Sequence, residues 1–245
     1  MTKRRRILEI CGTAFVATAG CVGRFDSANT EVEEVTWMIT LGEEIISKDT
    51  LDDYVADVHD RFATAGVWGD TRTEPDHELE YRGAWKKDLE HIGGVSSEHL
   101  LVLYHVPDLR DGNNGFNQIW LWSGVDMSEF EGYLHELHTG VTFPNNIEMG
   151  QYSPADTYRA TDSGQYPVGL TRPTASTLAT NAPLSSGTID LKPEETRIGD
   201  GGQYSIRWQG EHEDRMSIIA TCEGLWPPGE SREFELNAAI EASNE

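Results

Sequence analysis

The chain has 245 residues, with 42 acidic against 19 basic side chains and a formal net charge of −23 at pH 7. No basic stripe runs through it to neutralise phosphates, so nucleic acid is not an expected partner. Hydrophobic residues make up 38% and glycines number 24, an ordinary globular composition, and a chain of this length buries a sufficient core without disulfide staples.

In chain order, Lys3, Arg4, Arg5 and Arg6 come first, a short apolar run follows from Ile10, and Thr18-Ala19-Gly20-Cys21 closes it. A basic start, an apolar stretch of about 7–15 residues and small residues before a cut make the pattern of an export signal. A membrane-spanning helix needs about 20 apolar residues. The uncharged run from Ile10 to Gly23 is shorter, and Glu9 and Arg24 bound it. The order Arg4-Arg5-Arg6-Ile7-Leu8 resembles a twin-arginine signal, and Ala19-Gly20-Cys21 resembles a lipobox. The resemblance to exported lipoproteins implies removal of residues 1–20, lipid attachment at Cys21 and a mature chain anchored on the outer face of the cell membrane. Two acyl chains suffice for stable attachment.

Once the signal is removed, the remaining chain is still more acidic and keeps four lysines, Lys48, Lys86, Lys87 and Lys192. Such a surface repels itself at low salt. At molar salt the Debye length falls to about 3 Å and the repulsion is screened. The composition resembles that of proteins from extremely halophilic archaea. Cysteine use agrees with export: Cys11 leaves, Cys21 takes the lipid and Cys222 remains, so no intrachain disulfide forms in the mature protein.

Residues 21–33 read as a small, polar tether. Val35, Trp37, Ile39 and Leu41 alternate with more polar neighbours as a strand does. Ser47 to Ala65 reads as a helix: Leu51, Val55, Val58, Phe62 and Ala65 share a face, and Asp49, Asp52 and Asp53 favour its first turn. The polar stretch from Val67 to Ser97 suggests a short strand at Leu79–Tyr81 and a helical turn at Trp85–His91. Leu100 to Val106 and Ile119 to Trp122 are apolar on both faces, as covered central strands are, and Asp111 to Gly115 supplies a long-loop hairpin between them. Ser128 with Glu131 makes a capping-box pattern, Phe130, Tyr133, Leu134 and Leu137 a stripe, and Gly140 a C-cap, which predicts a second helix.

This order resembles a split β-α-β arrangement of the ferredoxin-like kind, so residues 34–150 are expected to form an α+β domain. Residues 151–186 are rich in Pro, Thr, Ser and Gly, and read as a linker or as long loops with short strands. In residues 187–243, Ile189/Leu191, Tyr204/Ile206/Trp208, Met216/Ile218/Ala220/Cys222 and Phe234/Leu236/Ala238/Ile240 alternate with mostly polar neighbours. That pattern predicts an all-β, Ig-like sandwich. It is short for a full domain, and either borrows strands from Thr157–Leu170 or packs onto the N-terminal part.

The candidate chemistry is sparse. His135 and His138, three apart on the expected helix, reach one metal, although H-E-x-x-H is not matched and no third ligand stands at a recognisable spacing. Cys222 lacks the histidines and axial Met of a blue-copper site and falls on an inward strand phase, where a thiol is inert. Asp108 to Gly115 has oxygen ligands but not the calcium-loop frame. No C-x-x-C-H, G-x-S-x-G, P-loop or dinucleotide fingerprint occurs, so no cofactor is expected. Trp37, Trp120, Trp122 and Trp208 are accounted for by core packing. Trp68, Trp85 and Trp226 lie in loop-like contexts beside Gly or Pro, and are the candidates for ligand contact.

The leading expectation is a non-enzymatic, lipid-anchored surface protein whose partners are the membrane and an extracellular ligand or envelope protein. The alternative is an extracytoplasmic metal-dependent hydrolase built on His135 and His138.

Overall fold

The computed structural model describes residues 30–43, 45–62, 71–72, 79–91, 94–171, 177–227 and 233–244. Arg4, Arg5, Cys21 and Trp68 lie outside the described residues. The architecture is mostly β: two antiparallel sheets face each other as in a sandwich, with one α-helix among the described residues.

The strands are β1 (Thr30–Thr40), β2 (Thr71–Arg72), β3 (Glu80–Glu90), β4 (Ser96–Asp111), β5 (Asn114–Asp126), β6 (Tyr133–Thr142), β7 (Glu148–Ser153), β8 (Tyr158–Gly169), β9 (Thr177–Leu191), β10 (Gly199–Asp200), β11 (Gln203–His212), β12 (Met216–Trp226) and β13 (Glu233–Ser243). The helix α1 spans Lys48–Phe62. The first sheet runs β1-β13-β6-β11-β9, and β2 and β8 both pair with β9. The second runs β10-β7-β12-β5-β4-β3.

Both sheets mix strands from the two ends of the chain. β1 pairs with β13 along its whole length, with Trp37 opposite Leu236 and Ile39 opposite Phe234. β6 lies between β13 and β11, and β12 pairs with β5. The expected division into a 34–150 domain and a 187–243 domain is therefore corrected: both contribute to one continuous core. Residues 151–186 are no linker either, since they hold β8 and most of β9.

The alternating patterns place their apolar residues inward, and Trp37, Ile39, Tyr204, Ile206, Trp208, Phe234, Leu236 and Ala238 are all buried. Burying one such large apolar side chain stabilises the fold by about 1.5–3 kcal/mol. β5 and β12 are buried almost without interruption because their other face is covered as well. On that side α1 packs Phe62 and Tyr54 edge-on against Trp122, at 5.3 and 6.3 Å between ring centroids. β4 and β5 form the expected hairpin. The long loop becomes a two-residue turn, with Asp111 opposite Asn114 and Gly112 at φ +59°, a left-handed conformation that favours glycine.

The second predicted helix is β6. Leu134 and Leu137 are both fully buried three residues apart because the ladders on both sides slip there: Leu134 and Glu136 find partners on β11 and β13, and His135 finds none. A bulged strand and a helix both put residues three apart on one side, and here the bulge does so. The capping residues do other work: the Ser128 N–H donates to Asp126 Oδ1, and the Phe130 N–H to the Met127 carbonyl. The ferredoxin-like order loses its second helix accordingly. The expected helical turn at Trp85–His91 is likewise strand, up to Glu90.

Candidate functional site

His135 and His138 do not converge. In a strand, residues three apart are about 10 Å apart along the chain. His135 Nε2 lies 2.6 Å from Ser243 Oγ, and His138 Nε2 lies 3.3 Å from Glu195 Oε2 on the turn Pro193–Glu195. The His138 ring beside it draws the Glu195 carboxyl down to about 2 against its partial burial, with Lys192 helping. Among the described residues no group of three or more His, Cys, Asp or Glu side chains is placed to hold a metal ion. The metal pairing is corrected on the geometry of the strand.

Trp85 and Trp226 are buried, at 8% and 5% exposure, so neither presents a free indole to a ligand. The Trp85 ring meets Phe234 edge-on at 6.2 Å, and its N–H donates to the Glu43 carbonyl at 2.8 Å. Trp226 ends β12 opposite Gly115, and a Cβ on Gly224 would come within 2.7 Å of its ring. Cys222 is buried, and burial pushes its thiol well above the ordinary range.

Two sites were not legible in advance. The first is a polar chain between the sheets. Glu33 Oε2 is 2.5 Å from His91 Nδ1, His91 Nε2 is 2.6 Å from Ser97 Oγ, Ser97 Oγ is 3.0 Å from His99 Nε2, and His99 Nδ1 is 2.8 Å from Ser123 Oγ. A carboxylate only accepts, so with both imidazoles neutral one proton order satisfies every atom: Ser123 donates to His99, His99 to Ser97, Ser97 to His91 and His91 to Glu33. Burial, reinforced by His91 and His138, pushes the His99 pKa down to about 3.

Acid, imidazole and hydroxyl in sequence are the ingredients of a serine nucleophile. Ser97, however, is 1% exposed and spends its proton on His91, so its hydroxyl is closed to a substrate. The chain ties edge strand β1 to β4 and β5.

The second site is a groove where the β8–β9 hairpin leaves β7. Two side chains clip the hairpin down: Ser153 Oγ accepts from the Gly169 N–H at 3.0 Å, and Gln151 Oε1 accepts from the Thr171 N–H at 3.2 Å. The space between has a volume of about 700 Å³, and its walls include Tyr152, Asp156, Tyr158, Leu170, Thr180 and Asn181. That size suits a small molecule, for which about 300–1,000 Å³ is usual.

Each wall tyrosine rests on a buried one. Tyr152 stacks on Tyr204 at 5.0 Å and 27°, and Tyr158 lies against Tyr166 at 6.1 Å and 36°. The buried pair is fixed by hydrogen bonds, from Tyr204 to the Pro154 carbonyl at 3.1 Å and from Tyr166 to the Ile219 carbonyl at 3.0 Å. The Ile219 N–H also donates to the Tyr166 oxygen at 2.7 Å. Two tyrosines, each braced on a buried ring, thus line one space. The sequence pointed to tryptophan and left Tyr152 and Tyr158 in a stretch read as a linker or as long loops with short strands; only the strand pairing brings them together.

No protein-family model matches this chain, and no curated protein matches it. Among solved structures, the Clostridium perfringens delta-toxin gives a TM-score of 0.42 at 6% identity, over 72% of this chain and 92% of that one. The Clostridium perfringens NetB toxin in its membrane-inserted form gives 0.30 at 9%, over 59% and 79% respectively. Neither likeness is of a degree from which a shared activity follows.

Proposed function

We propose that this chain is an exported, lipid-anchored protein of the cell surface that binds a small ligand outside the cell and carries out no chemistry on it. The observation that carries the binding reading is the Tyr152/Tyr158 groove: a preformed space of about 700 Å³ with two braced aromatic walls. Sandwich scaffolds of the Ig-like kind present such surfaces at the ends of their strands. The closed Ser97 hydroxyl and the divergence of His135 and His138 argue against the hydrolase alternative.

Export and anchoring rest on the basic start with Arg4 and Arg5, the short apolar run and Cys21. The net charge of −23 fits a surface adapted to concentrated salt, where the repulsion is screened. The test is fractionation of cells expressing the full chain. Wild type is expected in the membrane fraction and the Cys21→Ser variant in the medium. Equal membrane retention of the two refutes the anchor.

A further inference from the structure

The walls of the groove carry a charge signature. Among the described lining residues there is no lysine, arginine or histidine, and Asp156 is the one ionisable carboxyl. Asp156 is exposed, on the turn between β7 and β8, with Tyr152 and Tyr158 close to it on either side in the chain. Around them lie hydroxyl and amide groups of Ser153, Thr180 and Asn181, and the apolar Leu170 and Val168.

The face of an aromatic ring carries partial negative charge, so a cation over it is attracted, and a desolvated cation most strongly. Two tyrosines and a carboxylate lining one space, with no cationic side chain among the described lining residues, favour a positively charged guest. A quaternary ammonium fits best, because it is weakly hydrated and its methyl groups pack on rings and leucine alike. An inorganic anion meets a carboxylate and no cationic side chain among the described lining residues, and a neutral polyol leaves the carboxylate without a counter-charge. The net charge of −23 raises the concentration of cations at the surface in the same sense.

We infer that the Tyr152/Tyr158/Asp156 groove is a site for small organic cations of the quaternary ammonium class. This rests on the binding reading above and narrows it to one ligand chemistry. The braced geometry suits the role: Tyr204 and Tyr166 hold the two outer rings in place before a guest arrives, so little order is lost on binding.

The test uses the full chain and three probes: choline, its uncharged isostere 3,3-dimethylbutan-1-ol, and N-acetylglucosamine. Binding is followed by isothermal titration and by tyrosine resonances. Choline is expected to bind at millimolar concentration and the isostere at least tenfold more weakly. Asp156→Asn, an exposed change, is expected to weaken choline about fivefold or more, and Tyr158→Leu to weaken it further while keeping apolar bulk.

Equal binding of choline and its isostere overturns the cationic assignment and leaves a binding groove in place. Binding of N-acetylglucosamine alone does the same, and makes the ligand a glycan. Silence from all three probes overturns the site, while the fate of Cys21→Ser still reports separately on anchoring.

Discussion

The two sheets are covered differently, and the difference is written in their burial. In the second sheet β12 is buried at every position from Met216 to Trp226, because the first sheet covers one face of that sheet and α1 packs on the other. In the first sheet β13 alternates, burying Phe234, Leu236, Ala238, Ile240 and Ala242 and leaving Glu235, Asn237 and Glu241 partly exposed. The second sheet is thus a middle layer and the first an outer wall. Exposed carboxylates stand on α1 and on the open face of the wall, while the middle layer packs aromatic rings and also buries Glu223.

The largest expected effect sharpens that contrast. Trp122 is 0% exposed between Phe62 and Tyr54, so Trp122→Ala should cost about 3–5 kcal/mol. Denaturant unfolding at fixed high salt measures it. A loss no greater than that of a change on the open wall would show that the helix cover contributes little.

The second concerns charge between the layers. Burial keeps His99 neutral in the folded protein, with its pKa near 3, whereas the unfolded chain takes up the proton near 6.5. The folded state therefore binds fewer protons. Its stability is complete above about pH 6.5 and falls as pH drops toward 3, by up to ~1.4 kcal/mol per pH unit. Unfolding followed from pH 7.5 to 5 reads this before the carboxyls titrate, and His99→Gln should flatten the slope. An unchanged slope would remove the ring from the account.

The smallest effect belongs to the open wall. Arg207 pairs with Asp190 at 3.0 Å, both partly exposed, and Arg207→Ala should cost less than about 1 kcal/mol. Its effect should shrink further as potassium chloride is raised, because solvent-facing pairs are screened. A loss as large as that at Trp122 would erase the distinction between wall and middle layer.

Much of this was legible beforehand. The alternation at Val35–Ile39 gave β1, the acidic first turn with Leu51, Val58 and Phe62 gave α1, and the doubly apolar runs gave β4 and β5 as covered strands. The inward phases of β11, β12 and β13 came out as read. β6 did not, because a bulge at His135 reproduces the helical spacing of Leu134 and Leu137. The groove was hidden for a related reason. Tyr152 and Tyr158 stand in a stretch with no strong period, and their supports, Tyr204 and Tyr166, are distant or unremarkable in the sequence.

By itself the sequence determined local matters: the balance of charge, the period of most isolated strands and the position of the helix. Those depend on neighbours a few residues away and survive any choice of partner. Only the tertiary structure decided that the two ends of the chain share both sheets, that β6 fills the slot between β13 and β11, and that two tyrosines are braced around one space. A strand needs partners for its backbone N–H and C=O groups, and here they come from distant parts of the chain, so no local pattern specifies them.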